Sequence, residues 1–83
     1  MTFSIVWDEP ATDAAARFLE GDADGLRQLM DAVDLLADQP RPEGSTAYGS
    51  MDLRRMRVGR YRVMCEITEV TVAIVVIHIG RLG

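Results

Sequence analysis

The stretch Leu53-Arg-Arg-Met-Arg-Val-Gly-Arg-Tyr-Arg-Val-Met-Cys-Glu-Ile67 decides the reading of the fold. Apolar and polar residues alternate on both sides of Gly59-Arg60, and a period of two is the mark of a half-buried strand. Glycine first in a two-residue loop fits a type II′ hairpin turn. With that turn, Val58 faces Tyr61, Arg57 faces Arg62, Met56 faces Val63 and Arg55 faces Met64. Successive side chains point to opposite faces. One face therefore carries Met56, Val58, Tyr61, Val63 and Cys65, an apolar surface for helices to cover. The other carries Arg55, Arg57, Arg62, Met64 and Glu66.

Like charges directly opposite on a sheet destabilise by a few tenths to about 1 kcal/mol. Arg57 against Arg62, with Arg55 two residues away, breaks a local rule, and such breaks tend to fall at functional sites. A bound anion relieves the repulsion, because guanidinium forks match phosphate oxygens. The alternative is solvation of the same arginines by water and Glu66.

Working outward, two further strands are expected at about 61–68 and 71–79, turned at Glu69-Val70, after the first at about 52–58. Upstream, residues 39–50 contain Pro40, Pro42, Gly44 and Gly49 and read as a connection. Leu26, Leu29, Met30, Val33, Leu36 and Ala37 recur at three and four, which predicts a helix to about Asp38. Ala11, Ala14, Ala15, Phe18 and Leu19 predict an earlier helix, opened by Pro10 with Asp8 and Glu9 at its positive end. Gly21 to Gly25 separates the two, so they form a helical hairpin. Phe3-Ser-Ile-Val-Trp7 reads as a first strand. The expected fold is α+β, ordered β-α-α-β-β-β, with the helical hairpin packed on a four-stranded, mainly antiparallel sheet.

The chain has 83 residues, nine arginines, no lysine and thirteen acids, for a net charge of −4. That length suits one small domain spanning residues 1–83, which buries roughly 60–65% of its unfolded surface. The apolar fraction of 48% argues against disorder. One cysteine, Cys65, excludes a disulfide-stapled scaffold and reads as core. The longest apolar run, Val70 to Ile79, is too short for a membrane-spanning helix. The start Met1-Thr2-Phe3-Ser4 lacks a basic segment before an apolar one, so a cytoplasmic protein is expected. Charge is uneven: residues 1–44 hold ten acids and three arginines, net −7, and residues 45–83 hold six arginines and three acids, net +3. The basic part suits phosphate or an acidic partner.

The quoted stretch, together with Val-Ile-His-Ile-Gly80 downstream, resembles the RelE/ParE superfamily of type II toxins. The shared pattern is a basic-apolar-basic strand, a glycine turn, Tyr-Arg-Val, an acidic hairpin, and an apolar strand closing in glycine. The resemblance implies a ribosome-dependent mRNA endoribonuclease that inhibits translation. In that chemistry the 2′-hydroxyl attacks the adjacent phosphate, and basic side chains stabilise the charge that develops. By position, Arg55 and Arg57 would hold phosphates and Arg62 would stabilise the transition state, an effect worth about a few kcal/mol per group. RelE-like toxins usually carry another arginine at the position of Leu82; Arg81 is the substitute this chain offers. The family's later tyrosine has no counterpart before Gly83, which implies slower cleavage. Implied partners are a RelB-like antitoxin, the ribosome and mRNA, with no cofactor and no membrane. Two alternatives remain open: a ParE-like gyrase poison, and a weak or inactive toxin-fold module that binds an antitoxin.

His78, the single histidine, shares parity with Val72, Ile74 and Val76, so a structural role is expected, with acid–base catalysis as the alternative. Tyr48 in the connection is expected to pack locally, with base stacking as its alternative. Asp22-Ala-Asp24-Gly25 reads as a helix-capping turn rather than a calcium loop. One His and one Cys give no metal-ligand set.

Overall fold

The computed structural model describes residues 2–82. Its elements are β1 (Ser4–Trp7), α1 (Glu9–Gly21), α2 (Ala23–Leu35), β2 (Ser45–Ala47), β3 (Leu53–Val58), β4 (Tyr61–Thr68) and β5 (Ala73–Arg81). Asp8 starts α1, where its carboxylate accepts a hydrogen bond from the Ala11 N–H at 3.0 Å. Pro10 sits in the first turn, where a missing N–H costs nothing. Asp22 alone separates the helices. Its N–H donates to the Phe18 carbonyl at 2.9 Å, closing α1, and its carboxylate accepts from the Gly25 N–H at 3.1 Å, opening α2. The Asp22 carboxylate closes over Gly25, so a Cβ there would force that carboxylate to shift.

The strands form one sheet in the order β1-β5-β4-β3-β2. β1 runs parallel to β5, and every other pair is antiparallel. The β3–β4 register is the one expected: Val58 faces Tyr61, Arg57 faces Arg62 and Arg55 faces Met64. Gly59 takes φ +57° while Arg60 stays at negative φ, as a II′ turn requires. The α+β order stands, with a fifth strand added. β2 lies inside the segment expected to be a connection, and three residues are too few to show alternation. What fixes it is Arg54, whose guanidinium donates to the Ser45 carbonyl at 3.2 Å and to the Ser45 hydroxyl at 3.0 Å. The β4–β5 turn ends on Val72 at φ +51°, an unusual conformation for a β-branched residue.

Both helices cover one face, α1 against β5 and α2 against β3. The core there joins Leu26, Leu29 and Val33 to Tyr61, Val63, Cys65, Ile67, Ile74, Val76 and Ile79. Each fully buried aliphatic side chain in it contributes about 1.5–3 kcal/mol. Among the described residues no element covers the opposite face.

β5 departs from simple alternation. Met64 pairs with His78 but its neighbour Cys65 pairs with Val76, so Ile77 is an extra residue and the strand carries a β-bulge. Beyond the bulge the facing reverses. Val76 and Ile79, three apart, are both in the core. His78 leaves the face of Ile74 and Val76, where parity put it, and is exposed on the uncovered side.

Candidate functional site

The uncovered face is built in rows across three strands. One row is Arg57, Arg62 and Gly80; the next is Arg55, Met64 and His78; a third is Leu53, Glu66 and Val75. The Gly59 turn sets the first two rows, because it fixes which residues of β3 and β4 face each other. The structure thus brings Arg55, Arg57 and Arg62 together. The described residues contain ion pairs only from Arg41, to Asp52 at 2.8 Å and to Glu69 at 3.5 Å. None of the three arginines is neutralised, and Glu66 does not pair with them. The Arg57 Nε–H donates to the Gly59 carbonyl at 3.2 Å, which steadies its stem and leaves the rest of the guanidinium free.

Tyr48 joins this face from the loop after β2. Its N–H donates to the Leu53 carbonyl at 2.8 Å, continuing the β2–β3 ladder, and the Arg55 guanidinium stacks over its ring at 5.1 Å from the centroid. That contact keeps Arg55 extended, and half of Tyr48 remains exposed.

Arg81 lies elsewhere. Beyond the bulge it pairs with Tyr61 and so points to the helix side. Its guanidinium sits over the Phe18 ring, 5.3 Å from the centroid. Nearby, the Tyr61 hydroxyl donates to the Asp22 carboxylate at 2.8 Å. That hydrogen bond, with the Gly25 N–H and then the charges of Arg60 and Arg81, holds the Asp22 carboxyl below its ordinary 3.8. Burial and the Asp22 carboxylate raise the Tyr61 phenol above 10.0. Arg81 therefore belongs to the corner that locks both helices to the sheet, with the sheet between it and the other three arginines. Burial pushes the Cys65 thiol up to about 12, so it is no nucleophile at neutral pH.

Sequence reasoning left His78 off this face. The available signal was energetic: strict parity would have aimed an imidazole without a polar partner into a core of Ile74 and Val76, and buried polar groups need partners. Three guanidiniums can bind phosphate and stabilise developing negative charge, but they have no lone pair to accept a proton. Among the described residues no cluster of metal-ligating side chains occurs, and no helix is long and apolar enough to cross a membrane.

Two helices packed on one face of a five-stranded mixed sheet define a fold shared with bacterial and archaeal toxins. The structure is similar to free E. coli toxin RelE carrying two arginine-to-alanine substitutions, at TM-score 0.83 and 20% identity, over 98% of this chain and 84% of that one. It is similar to the archaeal RelE–RelB complex from Pyrococcus horikoshii OT3, at TM-score 0.78 and 21% identity, over 100% and 98%. It is also similar to the intact E. coli RelBE toxin–antitoxin complex, at 0.78 and 22%, over 98% of each chain. No curated protein sequence matches the chain. The family of ParE toxins of the type II toxin–antitoxin system parDE matches residues 6–82, and the chain belongs to it.

Proposed function

We propose that this toxin is an endoribonuclease that cuts mRNA on the ribosome, with Arg55, Arg57 and Arg62 as its phosphate and transition-state site. The observation that carries the reading is the set of three arginines, free of carboxylate partners, on the one uncovered face of the sheet. In the reaction the 2′-oxygen attacks the neighbouring phosphorus and charge builds on the phosphate oxygens. Arg55 and Arg57 hold the phosphates, and Arg62, directly across from Arg57, meets that charge. Arg81 is left out of the site because it faces the helices.

The same reading takes residues 1–83 as a single toxin domain, supported by one continuous core and by the family match. It makes the protein cytoplasmic, where ribosomes are. It gives the toxin a RelB-like antitoxin as partner, supported by similarity to toxins solved in RelE–RelB and RelBE complexes. The test is incubation of the purified protein with programmed ribosomes and mapping of mRNA 5′ ends. New ends in the ribosomal A site support the reading, and none overturn it. The match to ParE toxins supports a second reading, a gyrase poison. A supercoiling assay run alongside separates them, since gyrase inhibition without mRNA cleavage selects the second.

A further inference from the structure

We propose that His78 is the general base of the arginine site, accepting the 2′-hydroxyl proton of the cleaved nucleotide. The inference rests on the endoribonuclease reading and supplies what that reading lacks. The site has many hydrogen-bond donors, and its three cations cannot accept a proton. His78 brings an acceptor to them for one structural reason, the bulge at Ile77, which turns the imidazole from the core side to the arginine side.

The placement is specific. His78 stands across β4 from Arg55, through Met64, and diagonally from Arg62, about 7 Å away by sheet geometry. Its ring leans over Gly80, whose place is directly opposite Arg62: a Cβ on Gly80 would stand only 3.2 Å from the imidazole Nε2. Glycine at 80 thus leaves the room that lets the ring reach toward Arg62. One carboxylate shares its surroundings: Glu66, two residues along β4 from Met64 on the same face, is the other diagonal neighbour of His78. On the far side β1 has ended at Trp7, and the Asp8 carboxylate beyond it is committed to the α1 cap. Arg81 is on the opposite face.

The 2′ O–H bond breaks and its proton passes to the neutral imidazole. The 2′-oxygen bonds to phosphorus, the P–O5′ bond breaks, and the leaving 5′-oxygen takes a proton from water. The products are a 2′,3′-cyclic phosphate and a 5′-hydroxyl, and the imidazolium then releases its proton to solvent.

The experiment is single-turnover cleavage on programmed ribosomes across pH, comparing the natural chain with His78→Gln and Arg57→Ala. The expected result is a rate that rises with pH and then levels. His78→Gln should lower the plateau on the order of 100-fold and abolish the rise. A His78→Gln rate within twofold of the natural chain, or an unchanged pH rise, overturns the proposal. If Arg57→Ala is defective at the same time, the endoribonuclease reading survives alone. No cleavage by the natural chain overturns both. A substrate with sulfur at the 5′-bridging position decides the direction of transfer, because that leaving group needs no acid. A His78→Gln defect that persists on it supports a base, and a defect that disappears overturns that role.

Discussion

Arg57 and Arg62 stand opposite each other with no carboxylate between them, so the folded protein carries a repulsion that a phosphate would remove. Changing both to alanine should lower mRNA cleavage at least about tenfold while the melting temperature holds or rises slightly. Ribosome assays and thermal melts of the double variant check both halves, and full activity would end the catalytic assignment. Asp22 and Tyr61 set a different dependence. A lowered carboxyl contributes stability above the ordinary 3.8 and loses it as pH falls through its folded value. A raised phenol contributes stability below 10.0 and loses it as pH rises through its folded value. Melting temperature should therefore drop below about pH 4 and above about pH 10. Asp22→Asn should flatten the acid limb and Tyr61→Phe the alkaline one, each read from melts across pH. Cys65, raised to about 12 by burial, should resist thiol labelling in the native state and react only on unfolding. Labelling at neutral pH with and without denaturant checks this. That Arg55, Arg57 and Arg62 share a face was legible because strand alternation and one glycine turn determine it. Arg81 was not, because its facing depends on the bulge at Ile77 earlier in its own strand.

At the scale of elements, the hairpin of β3 and β4 was readable residue by residue, while β2 and the bulge in β5 were not. β2 exists because Arg54, on a different strand, reaches back to Ser45. The bulge exists because the core wants Ile74, Val76 and Ile79 together, and only an extra residue allows that spacing. Both are tertiary demands, and the one local trace is His78, which strict alternation would have buried without a partner. Deleting Ile77 should therefore straighten β5 without changing any facing: Val76 and Ile79 stay inward and His78 outward, now in plain alternation. Its cost should stay within about 1–2 kcal/mol, close to that of Ile77→Ala, because each variant loses the same half-buried side chain. Chemical denaturation of the two variants gives the comparison.

Across the whole molecule, charge is sorted by layer. Asp13, Glu20, Asp24, Asp31 and Asp34 are exposed on the helices, where they outnumber Arg17 and Arg27, and Arg55, Arg57 and Arg62 occupy the far side of the sheet. Such a molecule is oriented by a polyanion: RNA repels the helical side and attracts the sheet. The same sorting suits an acidic antitoxin segment on the arginine side. Co-expression with the adjacent open reading frame should yield a complex that melts higher than the toxin alone and forms more slowly as salt rises. A neighbour that neither co-purifies nor shifts the melt would remove the antitoxin. The order of synthesis adds a consequence of sheet order. β5 lies between β1 and β4, so the first strand made waits for the last one before it has any partner. The three arginines of β3 and β4 emerge from the ribosome well before that strand does. A nascent chain therefore exposes its basic hairpin while the sheet is still open on one side, and the toxin matures only once β5 has been translated and has closed it.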